Sequence, residues 1–139
     1  MSRENAEIVR RGLETLREAL ERRDFDFVFD ADVVSDDVEW IPSRSFPGRS
    51  SYRGREGFSE YMRTWAEDFD HLSFDIEELI DAPDDRVVAL IHQRGSGQGS
   101  RVPVEMDLAA VYELEGGRVI RIRNYLDPRD ALKAAGLSE

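Results

Sequence analysis

The sequence predicts an α+β fold in which helices come first and a meander of long antiparallel strands follows. Three observations lead there. In the first half, apolar residues recur every three or four positions, the spacing of one helix face. From Leu72 onward they recur every second position, the spacing of one strand face. Three turn signals divide that second half: Pro83-Asp84-Asp85, Gly95-Ser96-Gly97-Gln98-Gly99 and Glu115-Gly116-Gly117. Strands joined by such short turns run antiparallel, and the helices then cover one face of a curved sheet.

The first helix is expected over about residues 5–22. Ile8, Val9, Gly12, Leu13, Leu16, Ala19 and Leu20 form its apolar stripe, and Ser2 or Asn5 can cap it. Residues 24–32 read as strand by alternation or as a short helix by spacing. Helix is preferred, because Asp crowds the segment and is poor in strands. Val38-Glu39-Trp40-Ile41 is a short strand stopped by Pro42. Residues 42–54 form a polar loop whose aromatic members are Phe46 and Tyr52. A second long helix, Arg55 to Phe69, puts Phe58, Tyr61, Met62, Trp65 and Phe69 on one face. Strands are expected over roughly 72–81, 86–95, 101–114 and 118–126. Pro128 opens a last short helix, 128–135, which Gly136 stops.

The 139 residues make one domain, 1–139, long enough for a core without staples. The chain has no Cys, which excludes disulfides, thiolate metal sites and a Cys nucleophile. Its 19 Lys and Arg against 30 Asp and Glu give a net charge of −11, which repels a phosphate backbone, so no nucleic-acid partner is expected. The longest apolar run, Val87-Val88-Ala89-Leu90-Ile91, is far short of the ~20 residues of a membrane span. The polar start of the chain shows no secretory signal, so the expected location is the cytoplasm. The acidic run Asp30, Asp32, Asp36, Asp37, Glu39 lacks calcium-loop spacing, and the Gly95–Gly99 segment reads as a hairpin rather than a phosphate loop. No metal or cofactor is expected.

Four stretches carry a resemblance: Asp36-Asp37-Val38-Glu39-Trp40, Tyr52-Arg53-Gly54-Arg55-Glu56-Gly57, Gly116-Gly117-Arg118-Val119-Ile120, and Asn124-Tyr125-Leu126-Asp127-Pro128-Arg129-Asp130-Ala131-Leu132. The sequence resembles the nuclear transport factor 2-like superfamily and, within it, the SnoaL-like polyketide cyclase group, over nearly its whole length. The resemblance implies a cone-shaped α+β barrel, in which a bent sheet wraps the long helices and leaves a pocket at the wide end. Relatives use that pocket as steroid isomerases, epoxide hydrolases, dehydratases and cyclases, or only bind ligands. The site is therefore argued residue by residue. The resemblance also implies a homodimer through the outer sheet face.

Strand period decides what can face the pocket. Val102, Val104, Met106, Leu108, Ala110, Tyr112 and Leu114 form the apolar face of strand 101–114, which is assigned inward. Ile120, Ile122, Asn124 and Leu126 then face inward on the last strand. Arg121, Arg123 and Tyr125 face outward, beside Glu105, Asp107 and Glu113. Trp40, Tyr61, Trp65, Tyr112 and Met106 are the expected walls around a flat, mostly apolar ligand. Asn124 stands out, because a buried amide without partners costs on the order of 1–3 kcal/mol. The resemblance puts a catalytic Asp at this position. Asn takes no proton at neutral pH, so it orients a water or carbonyl instead. The resemblance also puts Leu16, Trp40 and Ala110 (or Ala109) where steroid isomerases keep a Tyr and two acids, which closes that reading.

Strand 86–95 leaves two orientations open. Val88, Leu90, His92 and Arg94 share one face; Val87, Ala89, Ile91 and Gln93 share the other. Turned inward, His92 is a general base near neutral pH and Arg94 holds a carboxylate or enolate. Turned outward, both pair with Glu105 and Asp107. His71, at a helix–strand junction, suits a solvated or capping role. Three functions stay open. The chain is a small-molecule-binding domain that works as a cofactor-independent lyase, isomerase or hydrolase, with His92, Arg94 and Asn124 as its catalytic set. Alternatively it is a non-catalytic ligand-binding or dimerisation module, or a fold whose pocket is filled by side chains under Phe46 and Tyr52.

Overall fold

A computed structural model of the chain describes residues 2–24, 34–43, 51–66, 69–97, 99 and 103–137. The stripe of Val9, Leu13, Ala19 and Leu20 makes an amphipathic helix α1, Ser2–Arg22, with those four residues buried. Strand β1, Val34–Ile41, is longer than expected, and a two-residue strand β2, Tyr52–Arg53, stands where a loop was expected. Helix α2, Gly54–Ala66, buries Phe58, Tyr61 and Met62. Phe69 does not extend α2. It opens strand β3, Phe69–Ala82, where the long hairpin with β4 takes it into the ladder opposite Gly97. Strands β4, Arg86–Gly97, β5, Pro103–Glu115, and β6, Arg118–Tyr125, complete the sheet, and α3, Pro128–Ala134, ends the chain's regular structure. Residues 25–32 of the helix expected there, and Phe46, lie outside the described residues, as does the Trp65 side chain.

The six strands form one curved, unclosed sheet in the order β2-β1-β6-β5-β4-β3. Neighbours are antiparallel except β1 and β6, which pair in parallel, so the sheet is mixed rather than wholly antiparallel. More than half of the chain separates these two strands, so no tight turn forces them antiparallel. Two hairpins close on pairs of residues with positive φ: Asp84 (63°) and Asp85 (57°), then Gly116 (60°) and Gly117 (80°). That geometry matches the twist of the flanking strands, and Asp is among the few side chains that tolerate it. One irregularity changes a face assignment. The β5–β6 register passes over Ile120, so Val119, 2% exposed, is the core residue there instead.

Each face of the sheet carries its own core. Helices α1 and α2 pack on the inner face with Val38, Trp40, Val87, Ala89, Ile91, Ala110, Tyr112 and Ile122. Helix α3 packs on the outer face, where Ala131 and Ala135 meet Val88, Ala109 and Val111. It starts at Pro128, and the Asp127 carboxylate accepts the Arg129 N–H as N-cap. No described helix is long and apolar enough to cross a membrane.

Phe58 is 2% exposed, with its ring centroid 4.6 Å from that of Trp40. Phe58→Ala is expected to lower the unfolding free energy by about 3–5 kcal/mol in urea denaturation. Leu126 is 47% exposed, and Leu126→Ala should cost less than about 0.5 kcal/mol. Equal losses would contradict this division between core and surface.

Candidate functional site

The inner faces of β4, β5 and β6, with α1 and α2, enclose a cavity of about 70 Å³. Most of its wall is apolar, supplied by Leu13, Leu16 and Leu20 of α1, Met62 of α2, and Phe74 and Ile91 of the sheet. Hydrogen-bonding groups enter through Trp40, Ser43, Tyr61, Gln93, Tyr112 and Asn124. Ser43, Asn124, Tyr125 and Leu126 also border an open vestibule of about 570 Å³, to which Arg123, Asp127 and Asp130 contribute. Asn124 thus stands at the neck between the two spaces.

Strand register sets Asn124 beside Ala110 on the inner face. Its Nδ2 donates to the Tyr61 hydroxyl at 2.6 Å. Tyr61 comes from α2, so this bond ties the helix to the last strand. Burial pushes the Tyr61 pKa far above the ordinary phenol value; the neighbouring Trp40 and Asn124 side chains oppose that rise without cancelling it. The Trp40 indole N–H faces this hydroxyl closely enough to favour its ionised form. It lacks the alignment of a hydrogen bond, however, and is buried without a partner. Tyr112 is likewise held protonated, by burial first and by the neighbouring Tyr61 second. The Trp40 and Tyr61 ring centroids lie 5.0 Å apart, and those of Tyr52 and Tyr61 5.4 Å apart. Tyr52 is therefore a buried member of this aromatic group, not part of a flap over the mouth.

The structure turns His92 and Arg94 outward, which corrects the inward option. His92 stands opposite Asp107 in the ladder, with Nδ1 2.8 Å from Asp107 Oδ1 and Nε2 3.0 Å from Glu105 Oε1. Arg94 pairs with Asp75 at 2.8 Å. Alternation then turns Gln93 inward, flanked in register by Phe74 and Met106. Met106 shares that face but does not line the cavity. Leu16, Trp40, Ala109 and Ala110, the positions where the resemblance implied missing catalytic groups, all line it. His71 sits within β3, opposite Ser96.

Gln93 is the cavity residue that sequence reasoning missed. The signal for it was present: Asp75, His92, Arg94, Glu105 and Asp107 can neutralise one another only if they share one sheet face, and that leaves Gln93 on the other. Farther along the outer face, Arg121 donates to Glu39 at 3.1 Å and to Glu113 at 2.9 Å. Arg123 stands opposite Val111 rather than an acid. Among the described residues, Glu77, His92 and Asp107 lie close enough to share a metal ion, with ligand atoms within 4.8 Å of one another. The two ring nitrogens of His92 are engaged by Asp107 and Glu105.

The model of the SnoaL-like domain matches residues 13–122. The chain belongs to the SnoaL-like family. A search of curated proteins finds no match. Among solved structures, this SnoaL-like chain is similar to TerC co-crystallised with polyporic acid, at 17% identity and TM-score 0.72, covering 95% of this chain and 97% of that one. It is similar to an NTF2-like protein of unknown function from Burkholderia pseudomallei K96243, at 19% identity and TM-score 0.70, covering 95% and 97%. It is also similar to a chain from Jannaschia sp. CCS1 assigned as a SnoaL-like polyketide cyclase, at 19% identity and TM-score 0.70, covering 99% and 94%. At these identities the likeness shows a shared fold.

Asp107 first, and Glu105 second, raise the His92 pKa above 6.5 by bonding its charged form. The folded chain therefore holds this proton more tightly than the unfolded chain. The resulting stability is full below pH 6.5 and is lost as pH rises through the raised value. His92→Gln should accordingly lower Tm most at mildly acidic pH, with the gap to wild type closing in alkaline buffer. A gap that does not change with pH would contradict the pairing.

Proposed function

We propose that this SnoaL-like chain is a cytoplasmic small-molecule-binding protein, acting as a single domain over residues 1–139. Its ligand is mostly apolar and is held at the neck between cavity and vestibule. The observation that carries this reading is the Asn124–Tyr61 bond, a fixed polar pair set in an otherwise greasy wall. The Asn124 carbonyl oxygen has no partner among the described residues and can accept a ligand hydroxyl. Trp40, Tyr61 and Tyr112 offer flat apolar surface around it. The crystal of TerC with polyporic acid supports the idea that this fold takes organic ligands.

Binding is favoured over turnover because the described residues lining the inner cavity include no carboxylate or imidazole. Its tyrosines hold their protons, which suits them to hydrogen bonding rather than proton transfer. Cofactor-independent lyase, isomerase or hydrolase chemistry is the second reading, and one observation favours it: Asp127 and Asp130 reach the vestibule that Asn124 borders. The ion pair with Arg129 holds the Asp127 carboxyl below the usual carboxylate range, so it is ionised there.

We also propose a homodimer through the outer sheet face. Helix α3 covers Val88, Ala109 and Val111, which leaves the charged strips around His92 and Arg121 as the contact.

Two measurements test these proposals. In a thermal-shift screen of neutral organic compounds, a binder present at 100 times its Kd should stabilise wild type by about 2.7 kcal/mol. Asn124→Leu and Tyr61→Phe should each weaken that binder about tenfold while still unfolding cooperatively. A binder indifferent to both substitutions would place the ligand elsewhere. Sedimentation equilibrium should give twice the 16.0 kDa chain mass, and the single-chain mass would refute the dimer.

A further inference from the structure

Gln93 carries an inference that rests on the ligand-binding reading and goes beyond it. The residue is 7% exposed and lines the cavity, and its side-chain amide makes no hydrogen bond to any described residue. It is flanked by Phe74 and Met106 across the two neighbouring strands. An amide set among such neighbours has little room for water and gains a partner when another molecule enters the cavity. The side chain is not sealed off, because among the described residues the one side-chain polar atom both fully enclosed and unbonded is Trp40 Nε1.

Its position relative to Asn124 follows from register. Ala89 of β4 stands opposite Ala110 of β5, which stands opposite Asn124 of β6. Gln93 lies four residues farther along β4, about 13 Å at the rise of an extended strand. One cavity wall therefore offers hydrogen bonding at two separated places, with Leu108, Ala109 and Ile91 among the apolar surface there.

Charge narrows the chemistry. The described lining residues present no ionised group, and an ion placed there would lose its hydration without a counter-charge. The part of the ligand held inside the cavity is therefore neutral.

We propose that Gln93 is a specificity-determining residue. It selects neutral ligands with an apolar body and an oxygen function at each end, one meeting Asn124 and the other meeting the Gln93 amide. Because that amide both donates and accepts, a hydroxyl at the far end satisfies it from either side.

A matched pair of probes tests this: 1-octanol, with one hydroxyl, and 1,8-octanediol, with one at each end. Affinities for wild type, Gln93→Leu and Asn124→Leu are read by isothermal titration calorimetry. Wild type is expected to bind both probes. Gln93→Leu should weaken the diol about tenfold and leave 1-octanol unchanged or tighter, while Asn124→Leu weakens both. Cooperative thermal unfolding of Gln93→Leu, with Tm no lower than that of wild type, checks that the variant is folded. A diol-to-octanol affinity ratio equal in wild type and Gln93→Leu would overturn the role of Gln93 while leaving the cavity as a ligand site. Failure of wild type to bind either probe would overturn the ligand-binding reading and this inference with it.

Discussion

A β-strand has two faces, and in this chain helices have claimed both of them. Helices α1 and α2 bury the inner face, and α3 buries a patch of the outer one around Val88, Ala109 and Val111. Every assignment of role follows from that division. Because Val87, Ala89 and Ile91 belong to the inner core, Gln93 must follow them inward and His92 must turn away. The same parity gathers Asp75, Arg94, Glu105 and Asp107 around His92, where opposite charges neutralise one another in contact with water.

The inner face has the reverse character. Its polar atoms are few, uncharged and embedded among Leu, Met and Phe. Burial keeps Tyr61 and Tyr112 protonated, so the cavity presents hydroxyl and amide groups over the whole physiological range. Such a surface recognises neutral molecules by hydrogen bonds whose value rises because water is scarce around them. The Asn124–Tyr61 bond fixes one of these groups before any ligand arrives, and a group held in place in advance loses less entropy on binding.

Much of this architecture was legible in the sequence. The stripes of α1 and α2, the turns at Asp84-Asp85 and Gly116-Gly117, and the start of α3 at Pro128 are local signals, and local backbone chemistry realises them. Asn124 stood out as an amide on an apolar face for the same reason. The orientation of β4 was not legible. Helix α3 makes part of the outer face apolar too, so Val88 and Leu90 are as greasy as Val87 and Ala89. The parallel pairing of β1 with β6 joins segments far apart in the chain, on which periodicity is silent. Ile120 misled because a single bulged residue reverses the parity of everything on its far side.

The central claim is that the inner face binds a neutral ligand through Asn124 while the His92 face takes no part. Side-chain amide resonances of Asn124 and Gln93, followed by 1H–15N NMR during addition of 1,8-octanediol, test it most directly. Both amide pairs should shift along one saturating curve while the His92 ring signals stay in place. Shifts confined to His92 and its carboxylate neighbours, with the two amides unmoved, would contradict it.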